Sequence, residues 1–143
     1  MIVIKQINPT DTYKLRLEVL KTNENYIYKY KGDFDDKTIH YGAFEESKNI
    51  GIVTLMENEN TLFSGKQMQL RGMAVVTKTQ NKGVGKELVK KAIDLSIEKG
   101  VKTVWCNARE HVTDFYKKQG FKIKGERFYI KHVCYHYLMY KKI

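Results

Sequence analysis

Hydrophobic and polar positions change rhythm several times along the chain, and each change marks an element. IVIKQI near the start is apolar and β-branched enough for a strand, and Asn8-Pro9-Thr10-Asp11 makes a turn into a helix on which Leu15, Val19 and Leu20 recur at helical spacing. NENYIYKYKGDFDDKT (23–38) is polar, aromatic and aperiodic, which predicts a loop with short helical turns at most. IHYGAFEE (39–46) and NIGIVTLM (49–56) flank a Ser47-Lys48 turn and read as a hairpin. QMQLRGMAVV (67–76) is long and increasingly apolar, as a central strand should be. Beyond it Val84, Leu88, Ala92 and Leu95 share one helical face, with Val89, Ile93 and Ile97 on its flank and Gly100 at the C-cap position. VKTVWCNA predicts a strand, EHVTDFYKKQG a short helix closed by Gly120, and CYHYLMYK a last alternating strand.

The order is β, α, three strands, α, β, α, β, a mixed α/β (α+β) arrangement, and no repeat or linker interrupts it. At 143 residues a single domain over 1–143 can bury a continuous core. Cys106 and Cys134 lie far apart without a CxxC, and the four histidines lack metal-ligand spacing, so neither a disulfide framework nor a metal site is expected. MIVIKQI is too short for a signal segment, and no apolar run approaches a membrane span; a reduced, cytoplasmic protein with no membrane partner is the expectation.

A formal charge of +10, from 26 Lys and Arg against 16 Asp and Glu, raises the question of a nucleic-acid or other anionic partner. The lysines are scattered in pairs, as at Lys90-Lys91 and Lys117-Lys118, and the chain is rich in Asn, Ile and Tyr with a single proline, as A/T-rich coding would produce. Much of the charge therefore reads as solvated surface, and specific nucleic-acid binding is disfavoured.

The stretch richest in chemistry is RGMAVVTKTQNKGVGKELVKKAI (71–93), in which Gly83 and Gly85 sit between an apolar strand and a helix. A helix N-terminus presents unpaired N–H groups and partial positive charge, a natural oxyanion site, and glycines there allow close backbone approach. Neither a P-loop nor a dinucleotide fingerprint is present; the spacing is QxxGxG, from Gln80 to Gly85.

At this point the chain resembles the GNAT superfamily of acyl-CoA-dependent N-acyltransferases, whose pyrophosphate signature is Q/RxxGxG/A. LRGMAVVTKTQNKGVGKELVKKA fits that element without a gap, and VWCNAREHVTDFYKKQGF is similar to the second family element, a strand leading to a helix with FY and then GF. YKLRLEVLK, KGDFDDKTIHYGA and HYLMYK extend the likeness to a bacterial subgroup over nearly the whole chain, although Cys134-Tyr135 precedes His136 where the subgroup has Gly-Pro.

The resemblance implies a central sheet with splayed fourth and fifth strands, acetyl-CoA as cofactor, and transfer of the acetyl group to a primary amine of a small molecule or peptide. It assigns Met73, Ala74 and Val75 to the pantetheine arm, and Gln80, Asn81, Lys82, Gly83, Val84 and Gly85 to the pyrophosphate with Lys86 assisting. Tyr116 falls at the position of the acid that protonates the leaving thiolate, Asn107 and Arg109 near the pantetheine amides, and Arg16 and His40 at positions that would line a substrate pocket. No carboxylate stands on the fourth strand beside Gln69 and Arg71, so a water chain or a loop group must deprotonate the amine, with Glu57, His40 and Asp33 as candidates. The superfamily's exposed C-terminal strands make a homodimer possible. A non-catalytic acyl-CoA sensor and a basic nucleic-acid-binding domain are the alternatives.

Overall fold

The computed structural model describes Met1–Ile143. One seven-stranded sheet forms its frame: β1 (Ile2–Ile7), β2 (Ile39–Glu45), β3 (Lys48–Met56), β4 (Gln67–Val75), β5 (Thr103–Arg109), β6 (Lys122–Ile130) and β7 (Cys134–Lys142), in the order β1-β2-β3-β4-β5-β7-β6. Only β4 and β5 pair in parallel; the other neighbours are antiparallel. No helix is long and apolar enough to cross a membrane.

The expected mixed α/β order holds, with one strand more than the hydrophobic pattern predicts. KIKGERFYI forms β6 at the sheet edge, with most of its residues exposed and a register shift between Lys124 and Phe128. A charged, irregular edge strand lacks the alternation by which half-buried strands are recognised. The β2–β3 hairpin turns on Glu46 and Ser47, both at positive φ, one residue earlier than the sequence predicts.

Helix α2 (Val84–Glu98) buries Val84, Leu88, Val89, Ala92 and Ile93 against the sheet, while Ile97 is 57% exposed and Ser96 takes the inner place, its hydroxyl donating to the Ala92 carbonyl at 2.8 Å. Each large apolar side chain so buried contributes about 1.5–3 kcal/mol, which outweighs the weak propensity of the β-branched residues in this helix. The first helical segment is less regular than its spacing predicts: a 3-10 turn at Pro9–Thr12, an α turn α1 at Tyr13–Leu15 and a π turn at Arg16–Leu20.

Arg16 fastens that segment to the sheet and to the 23–38 loop. Its guanidinium is fully buried and grips Asp33 at both ends, Nη1 to Oδ2 at 2.7 Å and Nη2 to Oδ1 at 3.0 Å. Nη1 also donates to the Tyr28 carbonyl and Nη2 to Thr54 Oγ1, and Cζ lies 3.7 Å from the centre of the Tyr30 ring. His40 completes the network. Its Nε2 lies 2.9 Å from the Asp33 carbonyl, which can only accept, so Nε2 carries the proton and Nδ1 accepts from Thr54. Burial lowers the His40 pKa and keeps the ring neutral.

Removing one member of a buried ion pair leaves an uncompensated charge and typically costs about 3–5 kcal/mol. Asp33→Ala is therefore expected to lower unfolding free energy by that order in denaturant titration. A loss below about 1 kcal/mol, the range of exposed pairs, would show that Asp33 is not the anchor of the loop.

Candidate active site

Parallel pairing of β4 with β5 is confined to Gln67–Gln69 against Thr103–Trp105. Loop 57–66 secures this closed end: Asn58 donates to Gln69 Oε1 at 2.8 Å and accepts from Trp105 Nε1 at 3.0 Å. Beyond it β4 stays on β3 and β5 stays on β7, down to Arg109 opposite His136. The strands diverge, and a cleft of about 1120 Å³ opens between them.

The β4 register shifts against β3 between Ile52 and Thr54, next to Gly72 at φ +57°. A Cβ at Gly72 would stand 3.0 Å from the Tyr30 ring and 3.3 Å from Arg16 Nε, so this bulge depends on glycine. Val76 N–H bonds to the Ile50 carbonyl on β3. Alternation then turns Ala74 toward β3 and points the backbone of Met73 and Val75 into the gap, where the Met73 groups and the Val75 N–H face no partner strand. All three residues line the cleft.

The glycine turn closes the far end of this edge. Backbone N–H groups of residues 81–86 make no hydrogen bond within the protein, and the α2 ladder begins with Glu87 N–H to the Gly83 carbonyl at 3.1 Å. Six consecutive unpaired donors at a helix N-terminus fit a pyrophosphate. Gln80 does not join them. Its N–H is taken by the Thr77 carbonyl at 3.2 Å, and its side-chain Nε2 donates to the Val75 carbonyl at 3.0 Å, clipping the turn to the end of β4.

The two glycines serve different ends. Gly83, at φ +81°, has open space where a Cβ would be and is required by its backbone conformation. A Cβ at Gly85 would lie 3.1 Å from Phe115 Cζ, so its bareness makes room for the Phe115 ring. Lys86 lines the cleft, whereas Lys82 is exposed outside it.

Helix α3 (Thr113–Lys118) brings Tyr116 to the cleft, 5% exposed and edge-on to both Phe115 and Phe121. Its hydroxyl makes no hydrogen bond within the protein, and burial, with the neighbouring Cys106 thiol, raises its pKa well above the phenol value, so it remains a neutral donor. Asn107 lines the cleft and is exposed. Arg109 lines it too, but its Nη2 already donates to the Leu20 carbonyl at 2.8 Å, tying β5 to the end of the π turn.

Arg16 and His40 are not at the cleft. The Asp33 ion pair saturates the Arg16 guanidinium ends, and both His40 nitrogens are engaged, which removes them as substrate contacts; Asp33 itself is 2% exposed. Glu57 pairs with Lys37 at 3.5 Å beside a separate small hollow. None of the three candidate bases faces the cleft.

His136 does face it. It is 4% exposed, stacked on Phe128, and its Nδ1 lies 2.7 Å from the Cys134 carbonyl. That carbonyl fixes the proton on Nδ1 and leaves the Nε2 lone pair without a protein partner. Burial lowers the His136 pKa, with Arg109 and His111 adding to it against the Cys134 bond. Nothing in the alternation of CYHYLMYK distinguishes this inward histidine from a core residue.

Residues 6–121 match the model of the Acetyltransferase (GNAT) family. Over 145 aligned residues the chain is 34% identical to YitI, an uncharacterised N-acetyltransferase of Bacillus subtilis, covering 100% of this chain and 97% of that protein. The fold matches an IAA acetyltransferase from Bacillus cereus (TM-score 0.76, 21% identity, 100% of both chains). It also matches a GNAT family acetyltransferase from Elizabethkingia anophelis with acetyl-CoA bound (TM-score 0.71, 20% identity, 99% of this chain and 98% of that one). The chain belongs to the GNAT acetyltransferase family and is an acyltransferase.

Proposed function

We propose that the protein transfers an acetyl group from acetyl-CoA to the primary amine of a small-molecule or peptide acceptor, by direct attack of the amine. The observation that carries this reading is the continuity of the unpaired β4 edge, at Met73 and the Val75 N–H, with the six unpaired N–H groups of 81–86, in one cleft with Tyr116 and His136. Bound acetyl-CoA supplies the acetyl group as a thioester. The β4 edge would hold an amide-bearing arm as an added strand, and the α2 N-terminus its diphosphate.

His136 Nε2 takes the proton that the acceptor ammonium must lose before it can act as a nucleophile. Burial, with Arg109 and His111, favours the neutral imidazole that this requires. Tyr116 holds a proton on its hydroxyl for the departing sulfur; as a weaker acid than a thiol of pKa about 8.5, the phenol stays protonated at neutral pH and its O–H is available to the sulfur as negative charge develops. Gln80 keeps the turn in place through Val75, and Asn107 lines the opposite wall.

A positioned acid or base contributes roughly 10²–10⁴-fold. Tyr116→Phe keeps the ring that packs on Phe115 and Phe121, and is expected to lower kcat and kcat/KM together by that order with the KM for acetyl-CoA nearly unchanged. Full activity would leave Tyr116 as a packing residue.

The lowered pKa of His136 sets the sign of the acid limb: Nε2 is free above that pKa and protonated below it. kcat is therefore expected to rise with pH through a value below the ordinary 6.5 of histidine and to be level above it. His136→Gln should lower kcat by about 10²-fold or more and remove the limb. Persistence of the same limb in the variant would place the base elsewhere.

A further inference from the structure

The charges along the cleft are all of one sign. Arg71, Arg109 and five lysines line it, together with His111, His132 and His136, and no aspartate or glutamate does. That bias is sharper than the chain's excess of 26 basic over 16 acidic residues. Lys86 is itself one of the residues with an unpaired N–H at the start of α2, and Lys118 lines the cleft from α3, whose Phe115 packs beside Gly85. Arg71 stands apart from that helix start, since it precedes Val75 by four residues on β4, on the order of 13 Å along an extended strand.

Two guanidiniums sit on or near the Tyr30 ring and differ in one respect. Arg16, 3.7 Å from its centre, is neutralised by Asp33. Arg71, 4.4 Å from the same centre and half-buried, makes no hydrogen bond and no ion pair within the protein. The Tyr30 hydroxyl is 2.6 Å from that of Tyr26, and the Arg109 guanidinium lies 5.7 Å from the Tyr26 ring with only Nη2 engaged. Arg71 on β4 and Arg109 on β5 are thus linked through a tyrosine pair across the mouth of the split. Burial keeps the Tyr26 phenol protonated, so the pair brings no negative charge to offset them.

A half-buried guanidinium without a counter-ion is unfavourable, and its planar fork matches a carboxylate or a phosphate. We infer that the acceptor amine carries an oxyanion, carboxylate or phosphate, which Arg71 holds with Arg109 assisting, and that polycationic amines are disfavoured. This rests on the acetyl-transfer reading above. The same cations disfavour the ammonium form of a bound amine.

The test uses matched amines that differ only in the anion: the common L-amino acids against their α-amides, and O-phosphoethanolamine against ethanolamine, with spermidine as the polycation. Turnover with acetyl-CoA is measured for each, beside calorimetric titration of acetyl-CoA and of each amine into the CoA-loaded protein. A charge-assisted bond predicts that the anionic member of at least one pair exceeds its neutral partner in kcat/KM by roughly 10- to 100-fold, with spermidine no better than the neutral members. The responding pair identifies carboxylate or phosphate as the source. R71Q should raise KM for the anionic member by the same factor and erase the discrimination while acetyl-CoA titrates as in the wild type; R71K should restore part of it. Equal turnover within every pair, a preference for spermidine, or acetyl-CoA binding with no anionic amine bound or turned over overturns this inference and leaves the cofactor reading standing. Absence of acetyl-CoA binding overturns both.

Discussion

A parallel strand pair that stops after three residues leaves backbone groups with nowhere to bond, and the cleft is built around them. β4 and β5 part beyond Gln69 and Trp105 because each follows its antiparallel partner, β3 on one side and β7 on the other. Unpaired strand edges are normally covered or blunted. Here the edge is kept open by the bulge at Gly72, and it runs into a helix start whose N–H groups are also unpaired. Both halves call for a ligand with hydrogen-bonding amides and an anionic end, which is why sheet geometry alone carries much of the functional reading.

The other wall depends on charge placed in two different states. Arg16 and Asp33 form a closed pair that converts an aperiodic loop into a fixed surface and presents Tyr30 to the cleft. Arg71 shares that ring without a counter-ion. The buried pair holds the wall, and the unpaired guanidinium gives it a chemical preference. His136 follows the same division: the Cys134 carbonyl fixes one nitrogen, leaving the other free.

Periodicity was sufficient for the strands and the long helix wherever one face meets the core and the other meets water, as in α2 and the β2–β3 hairpin. It failed for β6, whose edge position leaves most of its length exposed, and for the first helix, whose π turn leaves no mark on apolar spacing. The glycine turn was legible because QxxGxG at a strand-to-helix junction is followed in order by the FY and GF helix of the same family resemblance, but the separate duties of Gly83 and Gly85 show only with Phe115, thirty residues beyond Gly85, in place. Arg16, Asp33 and His40 read as polar residues with free groups, and only tertiary contact shows that they satisfy one another. His136 went unrecognised for the converse reason: an alternating strand hides which inward residue meets a cavity.

On the proposed reading, backbone amides of β4 and of the α2 N-terminus form one continuous binding edge for acetyl-CoA. Hydrogen exchange with and without acetyl-CoA tests it residue by residue. Amides of Met73, Val75 and residues 81–86 are expected to exchange rapidly in the free protein and become protected together on addition of acetyl-CoA, while Gln80, already bonded to Thr77, changes little. Protection already present in the free protein, or acetyl-CoA binding that leaves these amides unchanged, would contradict it.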